Sequence, residues 1–426
     1  MTLNKTIVFC ASDLEEEFYR GIGFYAQSVI RATKNLGYNN YLLTSAKKEK
    51  IIPLQQLEIL RNIDKPINPS QKKIILHYLY GLLGKYKFKH ISQVEPSYYE
   101  TISKLNYLVN IDGYINKTSL YKTINLHSIL FDFPLTIDTK KADILFCSAP
   151  SAVRNNYRGG LTVQTIHDII PLVTLYHPPS DKFNSLFYKN ITTSLKYADI
   201  VLTISEFSRQ EVLRIFPKFA DKLKVIYQPI PIAENELKLA ESDLLNRSTL
   251  NKFGLRKERY LLYIGALEKR KNIDRLIEAY LAVKNKIKMP LLLVGSLGYG
   301  SEIFTGKMQS EGIRYLGYVS NLDKLILLKN ANCFVFPSLY EGFGLPPLEA
   351  MTMGCPVITS NISAIPEACG NAPLYINPNS IEDMAERILE IHDNYSLRKD
   401  IINKGYQQVK KYSLENYQRD FSELFN

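Results

Sequence analysis

Two glutamates, Glu341 and Glu349, flank the seven residues "GFGLPPL". Gly342 and Gly344 let backbone N–H groups approach a ligand closely. Pro346 and Pro347 fit the first turn of a helix, where a missing N–H costs nothing. A helix start behind such a loop offers free donors and about half a positive charge, which suits an anion. The flanking glutamates are anions themselves. Carboxylates accept hydrogen bonds from hydroxyls, so a ligand carrying both phosphate and sugar hydroxyls satisfies the whole loop. The plain alternative is a strand–helix turn with incidental acids. The strand-like "CFVFP" before the loop and the stop "GCP" after its helix favour a site.

Cations stand at a second strand end. In "YIGALEKRKNIDRLIEAY", Tyr263–Tyr280, a strand pattern stops at Gly265, and Arg270 and Lys271 precede Asn272. Asn272 is expected to cap the helix that follows. Adjacent cations at a helix start oppose its dipole, and a bound diphosphate would compensate them. Seen alone, "EKRK" also reads as a solvated charge run. Gly21 and Gly23 in "YRGIGFYAQSV" follow the first strand as a phosphate-approach loop or a tight turn. They make a poor dinucleotide fingerprint, because a third glycine is missing and position 41 is tyrosine, not an acid. His167 and Asp168 end the strand of "TVQTIHDIIPL", where a histidine can face a cleft. Ser205 in "LTISEFSRQEV" reads as a structural helix cap. No Asp-x-Asp pair occurs, so no dedicated divalent cation is expected, nor any cofactor. Walker loop, zincin helix and nucleophile elbow are also missing.

The elements that must position these residues alternate between short apolar runs and amphipathic helical stretches. Strands are predicted over Thr6–Ala11, Tyr41–Thr44, Ile144–Ser148, Thr162–Ile166, Ile200–Ile204 and Lys224–Tyr227. A second series covers Tyr260–Gly265, Leu291–Gly295, Arg314–Leu316, Cys333–Pro337, Pro356–Ser360 and Leu374–Ile376. Continuous apolar runs suit buried parallel strands. Helices are predicted between them, as over Asn272–Asn285 and Ile381–Asp393. The reading is α/β, with two doubly wound Rossmann-like domains. The polar stretch Glu234–Lys257 marks the break, giving domains over 1–235 and 236–412. A closing helix over 413–426 is free to pack back on the first domain. In open parallel sheets ligands bind beyond the carboxyl ends of strands. Two facing sheets leave a cleft there, where the unusual residues lie.

The bulk numbers agree with a soluble two-domain chain. There are 426 residues, 46% hydrophobic and 22% charged, with net charge +11. The positive balance fits a basic surface, an anionic ligand or an anionic membrane. Nucleic acid is not expected, since no finger, basic zipper or RNA-binding signature occurs. Cys10, Cys147, Cys333, Cys355 and Cys369 are scattered and read as reduced core residues. "TIVFCAS" is followed by "DLEEE", which is no secretory pattern, and no apolar run approaches the ~18 residues of a membrane span. A cytoplasmic protein is expected. Lys72–His90 is basic, aromatic and amphipathic, and reads as a contact with the inner membrane face or as an ordinary surface helix.

Together these motifs resemble a GT-B glycosyltransferase of glycosyltransferase family 4, a large retaining group. The resemblance is strongest over Tyr260–Pro378 and weakest over Lys47–Lys141. It implies that Glu349 holds the nucleotide ribose. It implies that Glu341, with Gly342, Phe343, Gly344 and Leu345, meets the donor sugar. Arg270 and Lys271 would grip the diphosphate, and Tyr318 and Val319 of "LGYVS" would meet the base. His167 would lie near the donor sugar, beside the Gly21–Gly23 loop. Many members carry Arg directly after the strand glycine, where this chain has Ala266. "GALEKRKN" is similar to the O-antigen and exopolysaccharide mannosyltransferases. The implied activity is metal-independent transfer of a hexose, with mannose from GDP-mannose the leading choice. The acceptor would be a glycan or lipid-linked glycan of cell-surface polysaccharide. A nucleotide-sugar epimerase and a non-catalytic nucleotide-sugar-binding subunit are the competing readings.

Overall fold

The computed structural model describes residues 5–15, 21–45, 78, 79, 82, 86–90, 103–174 and 181–425. Among these residues, ten strands precede residue 230: β1 (Thr6–Cys10), β2 (Asn39–Thr44), β3 (Lys87–His90), β4 (Gly113–Asn116), β5 (Leu135–Ile137), β6 (Ile144–Cys147), β7 (Val153–Asn155), β8 (Leu161–Ile166), β9 (Ile200–Thr203) and β10 (Leu223–Val225). Six more follow: β11 (Leu261–Ile264), β12 (Leu291–Val294), β13 (Ile313–Gly317), β14 (Cys333–Phe336), β15 (Val357–Ser360) and β16 (Leu374–Ile376). Helices that matter below are α1 (Gly21–Asn35), α2 (Glu206–Ile215), α3 (Ile273–Ile287), α4 (Asn321–Asn330), α5 (Leu345–Thr352) and α6 (Leu414–Phe425).

The first sheet runs β10-β9-β8-β6-β1-β2-β4-β3, parallel except at β3. The second runs β13-β12-β11-β14-β15-β16, and every pairing is parallel. The predicted strands appear within a few residues of their expected bounds. Their apolar runs are buried on both faces, as in β1, where Ile7, Val8 and Phe9 are sealed from water. Sequence reading missed β3, β4, β5 and β7. The Lys72–His90 segment lies largely outside the described residues, and its last four residues are the edge strand β3, not helix. The stretch Glu234–Lys257 carries helices Glu234–Glu241 and Asp243–Lys252 between the two sheets.

Winding reverses at one place in each sheet. In the second, β11 sits between β12 and β14, so loops leaving β11 and β14 diverge in opposite directions. In the first, the reversal lies between β1 and β6. Such points open a crevice beyond the strand ends.

The chain crosses between the sheets twice. After the last strand of the second sheet, α6 returns to the first, with Tyr417, Phe421 and Phe425 on one helical face, all buried. Phe421 packs edge-on to Tyr38 at 6.1 Å, and Lys5 Nζ donates to the Phe425 carbonyl at 2.8 Å. The two crossing segments touch, because Ile230 N–H donates to the Tyr412 carbonyl at 3.0 Å.

Candidate active site

The cations come first. Beyond β11 the chain makes a short 3-10 turn, Lys269–Lys271. Asn272 then enters α3 with φ +62°, so it is not the side-chain cap that its type suggests. Its amide instead donates to the carbonyls of Pro337, at 3.1 Å, and Pro378, at 2.7 Å. That ties the β11 loop to the loop after β14. Leu339 N–H adds a bond to the Arg270 carbonyl at 2.9 Å.

The tie brings Lys271 to Glu341. Lys271 Nζ donates to Glu341 Oε1 at 2.5 Å, and Arg270 Nη1 stands 3.4 Å from the same oxygen. Arg270 also donates to the Tyr340 carbonyl and, at 2.7 Å, to Glu268. All four charges of this group are largely shielded from water. Burial raises the Glu341 carboxyl, but Lys271 and Arg270 outweigh it and hold the group below its ordinary value. Burial and the neighbouring Arg270 pull the Lys271 ammonium down, while Glu341 pulls the other way. Buried charges persist only when paired like this.

Next along the chain, Gly342 and Gly344 shape the loop. Gly344 has φ +112°, a conformation that side chains resist, and it turns the chain into α5. Pro346 and Pro347 stand in the first turn of α5, as expected. The Phe343 ring is core, packed edge-on against Tyr412 at 5.1 Å, so only its backbone faces the loop's open side. Glu349 sits on α5, buried, with Lys324 Nζ of α4 donating to its Oε1 at 2.6 Å. Lys324 in turn lies 5.5 Å from the centre of the Phe24 ring on α1.

From the first sheet, His167 follows β8. Its Nε2 donates to the Ser148 carbonyl at 2.8 Å, which leaves Nδ1 as the ring's acceptor. Burial pushes its pKa down to about 4, against the pull of that carbonyl, so the ring is neutral at pH 7. The Tyr25 ring meets it edge-on at 4.8 Å. Asp168 next to it is half-buried; its partial desolvation raises its carboxyl, and it senses Arg270, Glu341 and Lys271 across the crevice.

A neutral imidazole, an adjacent pair of cations and two buried carboxylates therefore lie around glycine-rich backbone at a helix start. Residues 247–408 match the family described as glycosyl transferases group 1. O-antigen chain mannosyltransferase B of Escherichia coli is 36% identical over 260 residues, covering 60% of this chain and 67% of that protein. The chain belongs to the group 1 glycosyl transferases. The serotype-specific mannosyltransferase WbdA of Escherichia coli is 31% identical over 237 residues, so the match spans 54% of this chain and 29% of WbdA. A glycosyltransferase structure from Rickettsia africae superposes with a TM-score of 0.59 at 17% identity, over 99% of this chain and 98% of that one. The architecture of this transferase is GT-B, as its sequence led one to expect.

The remaining expected site residues of this group 1 transferase sort as follows. Gly21 and Gly23 do not precede α1 but form its first turn. That turn carries Phe24 to Lys324 and so faces Glu349. Tyr318 is mostly exposed and Val319 half-buried, on the loop between β13 and α4. Three residues escaped sequence reading. Lys324 drew no notice; its one signal was a place in the helix that follows "LGYVS". Glu268 sat in a charge run. Ser208 lay in the motif "TISEFS", where only Ser205 drew notice, as a structural cap.

Proposed function

We propose that this transferase moves a mannosyl unit from GDP-mannose, with retention and without a bound divalent metal. The acceptor is a hydroxyl of a glycan or lipid-linked glycan used in cell-surface polysaccharide, on the cytoplasmic side of the membrane. The two Escherichia coli relatives, an O-antigen chain mannosyltransferase and WbdA, support the sugar and the process. Among the described residues no helix is long and apolar enough to cross a membrane.

One observation carries the reading: two largely shielded cations, Arg270 and Lys271, share the Glu341 carboxylate beside the start of α5. Departure of a nucleoside diphosphate builds negative charge on its terminal phosphate. Arg270, Lys271 and the α5 N–H groups would neutralise it, which is electrostatic catalysis by preplaced groups. Glu341 would accept a donor-sugar hydroxyl and Glu349 a ribose hydroxyl. The neutral His167 ring would take a hydrogen bond from the sugar at Nδ1. No side chain is assigned as a covalent nucleophile; the donor phosphate takes the acceptor's proton on the same face.

A melting panel with GDP, UDP, dTDP and ADP and their common sugars, with and without magnesium, tests this. Ligands that bind the native state raise its melting temperature. A shift with GDP and GDP-mannose alone, equal with and without magnesium, is expected. A shift confined to another base would replace the donor. No shift with any of the four would overturn the assignment of this site to a nucleotide sugar.

A further inference from the structure

The motif "TISEFS" is where the two sheets grip one another. Ser205 is the cap of α2, accepting from Ser208 N–H at 3.0 Å, but its own proton goes elsewhere: Ser205 Oγ donates to the Gly342 carbonyl at 2.6 Å. Ser208 Oγ lies 2.9 Å from the same carbonyl and 2.7 Å from the carbonyl of His167. One hydroxyl proton is thus shared between a carbonyl of each domain. Both serines are sealed from water. The fit is tight, since a Cβ on Gly342 would stand 2.5 Å from the His167 oxygen.

The second domain answers on the same helix. Glu367 takes the first free N–H groups of α2, from Glu206 at 2.6 Å and Phe207 at 2.8 Å. A carboxylate there satisfies orphan donors and the helix dipole together. Tyr340, next to Glu341, donates to Glu211 at 2.9 Å, and its ring meets Phe207. The contacts from the second domain to α2 and its cap thus come from the Tyr340–Gly342 loop and from Glu367.

We propose that Ser205 and Ser208 are positioning residues for the donor loop. From the first domain they fix the Gly342 peptide, with Glu367 clamping the helix that carries Ser208, so Glu341 takes its working place only when the domains are shut. The inference rests on the reading of Glu341–Leu345 as the donor-sugar loop. It couples closure to chemistry through backbone, as induced-fit enzymes require. Nucleotide affinity is left to Lys271 and Glu349, which the serines do not touch.

The test compares wild type with Ser205→Ala/Ser208→Ala, Glu367→Ala and Glu367→Gln. Three readouts are taken: GDP affinity by calorimetry, GDP release from GDP-mannose, and the radius of gyration in solution without ligand. UDP and UDP-glucose replace them if the melting panel selects uracil. Misplacing a reacting group by about 1 Å can cost ~100-fold in rate. The double variant should lose roughly 10- to 100-fold in turnover while its nucleotide Kd stays within about threefold. It should also be larger in solution, and Glu367→Gln, which keeps an acceptor, should fall between wild type and Glu367→Ala. Unchanged turnover and size would overturn the proposal. So would a parallel loss of affinity, turnover and folded protein, which marks a merely structural role. If the wild type binds no nucleotide, the donor reading fails, and an unchanged radius of gyration in the double variant would then refute the clamp by itself.

Discussion

Lys324 Nζ and Glu349 Oε1 stand 2.6 Å apart, with 14% and 9% of the two side chains reaching water. The pair joins α4 to α5 at the carboxylate assigned to the ribose. Removing one partner of a buried pair strands the other charge, at a cost of about 3–5 kcal/mol. Replacing both with apolar groups restores most of that. Lys324→Met is therefore expected to lower stability in urea unfolding by about 3 kcal/mol. Lys324→Met/Glu349→Leu should regain most of it yet bind GDP no better than Glu349→Leu alone. A double variant as unstable as Lys324→Met would show that the pairing is not the cause.

Lys271→Ala should reduce kcat/KM for the donor by roughly tenfold or more, since ~1.4 kcal/mol corresponds to each factor of ten. It also strips Glu341 of its nearest cation, so the carboxyl should titrate higher. Steady-state kinetics over donor concentration decide this. Unchanged donor kinetics would remove Lys271 from the site.

His167 sets a pH dependence of stability. Its folded pKa, about 4, lies below its usual 6.5, so the unfolded chain binds more protons between these values. Stability is unaffected above about pH 6.5 and falls as pH drops from there toward 4. The loss from this one group is at most about 3 kcal/mol. Denaturant midpoints measured from pH 7.5 to 4.5 should slope less steeply in His167→Asn. Identical slopes would mean that the ring titrates normally.

Phe421 is fully buried between α6 and the first sheet. Phe421→Ala should cost about 3–5 kcal/mol, the range for emptying a core aromatic site. A change below about 1 kcal/mol would mean that α6 adds little to the fold. Equilibrium unfolding measures it directly.

The apolar runs announced most strands, because a strand buried on both faces needs a side chain such as Ile7 or Leu291 at every position. The strands β5 and β7 have three residues each, and β4 is "GYIN", too short and mixed to stand out. β3 reads "KFKH" and, among the described residues, pairs along one edge. In the candidate site, Glu341, Arg270, Lys271 and His167 were legible because each lies in the loop past a strand, beside turn-forming residues, and Glu349 because it follows the two prolines that open α5. Lys324 was not, because its partner is twenty-five positions away in the chain. Asn272 has the composition of a cap, but its two long-range carbonyl partners decide its left-handed backbone. Ser205 does cap α2, as its type foretold; its bond to Gly342 spans 137 positions and depends on how the sheets meet.

The two crossings between the sheets have a mechanical meaning. They run side by side, joined where Ile230 meets Tyr412. A single flexible tether would let one half of the molecule swivel and tumble against the other. Two adjoining tethers resist torsion and leave one easy axis, like the spine of a book. Each time the cleft opens and shuts, Gly342 should therefore come back to Ser205 and Ser208 along the same arc, without a search over orientations.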